Sequence, residues 1–137
     1  MPKSSTPAYE AVTEGVTVRI VPRYLNDESS PSKSHYVWAY SVEIENGSDV
    51  ELTLKTRHWE IVDAVGRKQI VDGEGVVGQT PTLKPGEHFR YTSGAPLSAP
   101  SGIMGGSYIF RADNGDELVA RIPTFSLDSP YSLTRPN

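Results

Sequence analysis

Apolar residues in this chain fall at every second position, over and over. No stretch of ten residues shows the three-and-four spacing of a helix. Val16, Val18 and Ile20 point one way and Thr17 and Arg19 the other, the period of a half-buried strand that weakens at Pro22. The turn-rich run Asn26-Asp27-Glu28-Ser29-Ser30-Pro31-Ser32 follows. Tyr36, Trp38, Tyr40, Val42 and Ile44 then share one face of the clearest strand, with Ser41, Glu43 and Glu45 on the other. That alternation predicts that the three aromatics face the core. Asn46-Gly47 has the chemistry of a tight hairpin, so Val50, Leu52 and Leu54 read as the return strand. At Trp59 and Ile61 the apolar set moves to odd positions. A one-residue slip of this kind reads as a β-bulge or a bend.

Beyond Gly66 the elements are shorter. Lys68 to Val71 is a strand, and a glycine-rich loop spans Gly73 to Gly78. Pro85-Gly86 is a turn and Phe89 to Thr92 a strand. Ser93 to Pro96 and Ala99 to Gly102 read as loops. Ser107 to Arg111 and Leu118 to Ile122 form a hairpin through Asn114-Gly115, and Phe125 and Leu127 close the core. The fold class is therefore all-β. Seven or eight short antiparallel strands, with turn signals every roughly 8–12 residues, describe an immunoglobulin-like β-sandwich.

Composition sharpens this picture. The chain has 137 residues, enough for one core, and no cysteine. The missing cysteines remove disulfides, thiolate catalysis and Cys-based zinc sites, and they favour a fibronectin type III-like sandwich over a disulfide-pinned domain. A net charge of −4, with scattered basic residues, gives no field for nucleic acid. No window is long and apolar enough for a membrane helix, and Met1 to Pro7 has no leader-like apolar segment. A cytoplasmic protein is expected.

Candidate chemistry is sparse. Gly73-Glu74-Gly75-Val76-Val77-Gly78 spells the dinucleotide fingerprint. The fingerprint needs a helix after it, and Pro81 and Pro85 forbid one. What remains is a turn, or a backbone nest for an anion. His58, His88 and Asp63 are the candidate ligands for a divalent cation, set against ordinary structural roles. Asp113 to Glu117 lacks the register of a calcium loop, and the Asn-Gly hairpin explains it better. Trp59 and Tyr91, near the glycine-rich loops, are expected as exposed anchors. No catalytic residue and no cofactor are expected.

The order of motifs resembles the ApaG family of bacterial proteins. It runs through Tyr36-x-Trp38-x-Tyr40, Arg57-His58-Trp59, the Gly73–Gly78 string, Pro85-Gly86-Glu87, Tyr91-Thr92-Ser93-Gly94 and Ile122-Pro123-x-Phe125. The likeness covers residues 7–131, with flexible ends expected at 1–6 and 132–137. It implies a fibronectin type III-like sandwich and a link to cobalt resistance and magnesium efflux. A chain without a membrane span is no pore, so that link runs indirectly, through a protein partner. ApaG-like domains also occur in eukaryotic F-box proteins and in a polymerase-delta-interacting protein, as interaction modules. A non-enzymatic binding module is therefore expected. Its partner loop is Gly73–Gly78, with Arg57, Trp59 and Tyr91 beside it. Direct binding of Co2+ or Mg2+, or of a phosphorylated small molecule on the loop, is the alternative. Exposed sheet edges leave an oligomer open.

Overall fold

The computed structural model describes residues 8–132, and the expected flexible ends at 1–6 and 132–137, Ser132 apart, lie outside them. Two antiparallel sheets face each other across one core. The strands are β1 (Tyr9–Thr13), β2 (Val16–Tyr24), β3 (Tyr36–Asn46), β4 (Leu52–Asp63), β5 (Lys68–Glu74), β6 (Thr82–Leu83), β7 (His88–Leu97), β8 (Gly102–Ala112) and β9 (Glu117–Leu127). The first sheet runs β1-β2-β3-β7. The second runs β5-β4-β8-β9, with β6 also on β4. Among the described residues there is no α-helix, only 3-10 turns at Asn26–Glu28 and Pro31–Lys33.

The alternation does what its period dictates. Val16, Val18 and Ile20 are buried, as are Trp38, Tyr40, Val42 and Ile44 on β3. Tyr36, at the start of β3, packs half-buried against the same core. Tyr108, Phe110, Phe125 and Leu127 close it from the second sheet. Rings meet edge-on in the core, both across the gap and within the second sheet. Tyr40 and Trp59 sit 5.2 Å apart at 60°, and Trp59 and Phe125 6.1 Å apart at 88°. Such pairs add roughly 0.5–1.5 kcal/mol each beyond their burial.

Several elements differ from the sequence expectation. β1 was hidden in a segment with weak patterning, where Glu10 and Val12 face out beside Ala11. Ser93 to Pro96, expected as loop, continues β7, because β3 is long enough to pair with it up to Leu97. Asn46-Gly47 is not a hairpin. β3 belongs to the first sheet and β4 to the second, so the chain crosses the sandwich there.

Asn46 explains how that crossing is held. It is fully buried. Its amide Nδ2 donates to the Val50 carbonyl at 2.8 Å and to the Leu83 carbonyl at 2.9 Å. Its Oδ1 accepts from the Ser48 backbone N–H at 3.0 Å and the Ser48 hydroxyl at 2.6 Å. Its backbone N–H donates to Glu87 and its carbonyl accepts from Gly86. Glu87 and Gly86 lie on the return crossing from β6 to β7, so one side chain and its own peptide groups tie both crossings together.

Replacing Asn46 by Ala takes the amide donor from the Val50 and Leu83 carbonyls, at about 1–3 kcal/mol each. The expected loss is about 3–5 kcal/mol, seen as a lower urea midpoint with an unchanged slope. Ser48→Ala should lose about 1 kcal/mol, because the Ser48 backbone N–H still reaches Oδ1. Equal losses for the two variants would show that the side-chain bonds to Val50 and Leu83 carry little.

Candidate functional site

The phase slip on β4 is a β-bulge, with the register against β8 shifting between Leu54 and Thr56. It turns Arg57, Trp59 and Ile61 inward and His58, Glu60 and Val62 outward. Trp59 is therefore buried, at 3% exposure, and is not the exposed anchor its loop-side position suggested. Tyr91, on the inward side of β7, is half-buried, and its hydroxyl pairs with that of Tyr108. Burial pushes both phenols up, so both stay protonated at neutral pH.

The glycine-rich segment sits opposite the bulge. Gly73 and Glu74 complete β5, so the loop proper begins at Gly75. Its N–H donates to the carbonyl of Lys55, the bulged residue, at 2.8 Å. On the far side Leu54 donates to Pro81. The loop is thus an excursion of one edge strand around the bulge, with β5 before it and β6 after it. Val76 is buried, and it exchanges backbone hydrogen bonds with Gln79 at 2.8 and 2.9 Å. Between them Val77 has φ 42° and Gly78 φ 79°, the signature of a type I′ turn. Gly75 has φ 61°, and a Cβ there would collide with the Gln79 carbonyl oxygen. No side chain fits at that position.

Arg57 holds the loop from inside. Its Nη1 donates to the carbonyls of Glu74 and Gly75, both at 2.9 Å. The guanidinium lies against Gly73, where a Cβ would come within 2.8 Å of Cζ. Arg57, Gly73 and Gly75 are thus one construction, whereas Trp59 supports it only from the core.

The candidate metal ligands are not brought together. His58 faces outward on the second sheet, between Asp72 (2.6 Å) and Glu60 (3.0 Å). His88 faces outward on the first sheet and contacts Glu43 at 2.9 Å. Asp63 is buried in the β4–β5 turn. Its Oδ1 accepts from the backbone of Val65 and Arg67, and its Oδ2 from Arg67 Nε, each at 3.0 Å. Burial pushes the Asp63 carboxyl up, but those donors outweigh it and hold the group below its usual range. Among the described residues no group of three His, Asp or Glu is placed to hold a metal ion. No helix among them is long and apolar enough to cross a membrane.

A family model described as the ApaG domain matches residues 26–112. The chain belongs to the ApaG family. It is 50% identical over 129 residues to Protein ApaG of Rhodospirillum centenum, covering 94% of this chain and 99% of that one. It is also 50% identical over 123 residues to Protein ApaG of Methylorubrum populi, at 90% and 95% coverage. The crystal structure of an ApaA protein from Bordetella pertussis matches with a TM-score of 0.82 at 44% identity, over 85% of this chain and 95% of that one. The C-terminal domain of Wzt matches with a TM-score of 0.54 at 10% identity, over 96% of this chain and 81% of that one. That last likeness concerns the fold alone.

The His58 bridge has a pH signature. Hydrogen bonds donated to Glu60 and then Asp72 raise the His58 pKa, and the bond from His58 lowers that of Glu60. A raised folded-state pKa gives stability that is complete below the usual histidine value and is lost as pH rises through the folded one. The pair is exposed, so solvent screens it and its contribution is small. Urea titrations should find wild type more stable than His58→Gln near pH 6, with the gap closing by pH 9. A gap that ignores pH would mean that His58 contributes packing and no charge.

Proposed function

We propose that this ApaG-family chain is a non-catalytic binding module that presents the Gly75–Gly78 turn to a protein partner. Its link to cobalt resistance and magnesium efflux then runs through that partner. The observation that carries this reading is Val77. A β-branched residue in the left-handed region costs of order 1–3 kcal/mol, and Asn or Gly at the same position would relieve it. Val77 is 52% exposed at the tip of a turn whose other features are all stabilising. Folding has no use for an exposed, strained valine, whereas a partner's apolar pocket does.

Three further observations favour a partner over the other ligands. The N–H groups of Gly75, Val76 and Gln79 already donate to carbonyls, which leaves the turn little of an anion nest. His58, His88 and Asp63 are each committed to separate local bonds. The buried tyrosines are paired or held neutral, and among the described residues none of them has a base beside it.

Val77→Asn separates stability from binding. It should raise the melting temperature by roughly 2–6 °C, because Asn suits a type I′ turn. In quantitative capture from native lysate it should retain the wild-type partner at least about ten-fold less well, a loss of roughly 1.4 kcal/mol. A variant that is stabilised and still captures fully would remove the turn from the interface.

A further inference from the structure

We propose that the open side of the sandwich is a second, small-molecule-sized site, which takes a carboxylate carried on a compact apolar body. This goes beyond the partner reading and does not depend on it.

The two sides of the sandwich are built differently. On one side β1 and β2 lie against β9, and the Arg121 N–H donates to the Thr13 hydroxyl at 3.1 Å. On the other, the edge strands β5 and β7 belong to different sheets and are not paired with each other. Between them lies a cavity of about 220 Å³, lined among others by Tyr40, Arg57, Trp59, Gln69, Ser93 and Met104. A cavity of roughly 150 Å³ is enough for benzene, so this one has room for a ring or branched chain with a polar head.

The lining has two chemistries. Trp59 and Met104 give an apolar wall. Arg57 gives the charge. Only its Nη1 is engaged, on the Glu74 and Gly75 carbonyls, and Nε and Nη2 donate to nothing among the described residues. No carboxylate within 4.0 Å compensates it among those residues. A half-buried guanidinium with its fork free, fixed at one end by two carbonyls, is preorganised for a planar two-oxygen partner. Tyr40 and Ser93 line the same cavity, and burial keeps the Tyr40 phenol neutral and able to donate. One positive charge matches a monoanion. A phosphate dianion would be left half-neutralised beside apolar walls.

A larger groove, about 420 Å³, crosses the outer face of the first sheet, but its charges are spent. Arg19 pairs with Glu10 and with Glu43 (3.7 Å), and Arg90 pairs with Glu43 at 2.9 Å. Arg57, in the smaller cavity, has no such carboxylate partner among the described residues.

Amide NMR of the full chain, titrated with phenylacetate, tests the site. Localised shifts are expected at Gln69, Val71, Ser93 and Gly94 and at the Arg57 Nε–H, with a Kd of about 1 mM or tighter. Phenylacetamide should bind at least about ten-fold more weakly, and inorganic phosphate should leave these signals unmoved. Arg57→Gln should weaken phenylacetate at least about ten-fold, while Lys55→Gln leaves it unchanged. Because Arg57→Gln also loosens the loop, Val71→Trp at the exposed rim serves as the second variant. It closes the cavity mouth, keeps Arg57, and should abolish the shifts. Gly-Gly-Phe with a free terminus, compared with its amide, tells a protein C-terminus from a free acid, and either source supports the site. No localised shift, equal binding of acid and amide, or binding that survives both variants would overturn it. None of these readouts involves Val77, so this proposal and the partner reading fail separately.

Discussion

Everything on the functional side of this fold hangs from the side chain of Asn46. A β-sandwich must pass its chain from sheet to sheet, and the peptide groups at each passage leave one ladder before they join another. Those groups are buried here, so each needs a partner. Asn46 answers for both passages at once, with its amide on Val50 and Leu83 and its peptide on Gly86 and Glu87. An aspartate would lose the two donations, and a leucine all of the side-chain bonds. The amide is the one small group that donates twice and accepts twice.

From that fixed point the register of β4 follows, and from the register the site. β4 starts with Leu52 and Leu54 inward. Had it continued in phase, Thr56, His58 and Glu60 would enter the core, and Arg57 and Trp59 would face solvent. The bulge at Lys55 reverses this. It also leaves a gap on the β4 edge, which the Gly75–Pro81 excursion fills by binding Lys55 and Leu54. Bulge and glycine turn are thus one feature seen from two strands. Arg57 is the brace between them, and it points into the open side only because the strand slipped by one residue.

This division marks what could be read in the residues. The period-two pattern, the slip before Trp59 and the Asn114-Gly115 hairpin are local, and local physics determines them. The prolines after Gly78 were likewise enough to exclude a dinucleotide helix. The misread elements are non-local. Asn46-Gly47 has hairpin chemistry, yet which sheet the next strand joins depends on Leu83 and Gly86, some forty residues on. The slip itself implied that Trp59 turns inward, but its neighbourhood to glycines suggested exposure, and the packing decided. Ser93 to Pro96 reads as loop because it is small and Pro-containing; pairing with the long β3 overrides that preference. No local signal marks Val77 as left-handed, since valine is a poor choice there. Its conformation is imposed by the two hydrogen bonds between Val76 and Gln79.

Charge placement completes the argument. Both outer faces carry titratable groups, and there the charges are set against each other. Glu43 answers Arg19, His88 and Arg90, and the bond from His88 heads the causes that hold its carboxyl below the usual range. His58 answers Glu60 and Asp72. Exposed pairs of this kind contribute little to stability but leave the faces without a strong local field. The open side differs. Its guanidinium is half-buried, braced by carbonyls, and without a counter-charge among the described residues. Desolvation makes an unpaired charge expensive, and no carboxylate among the described residues offsets that cost here. On the proposed reading, an anion arriving from outside would meet this guanidinium. The open edge between β5 and β7 is the side from which it can come.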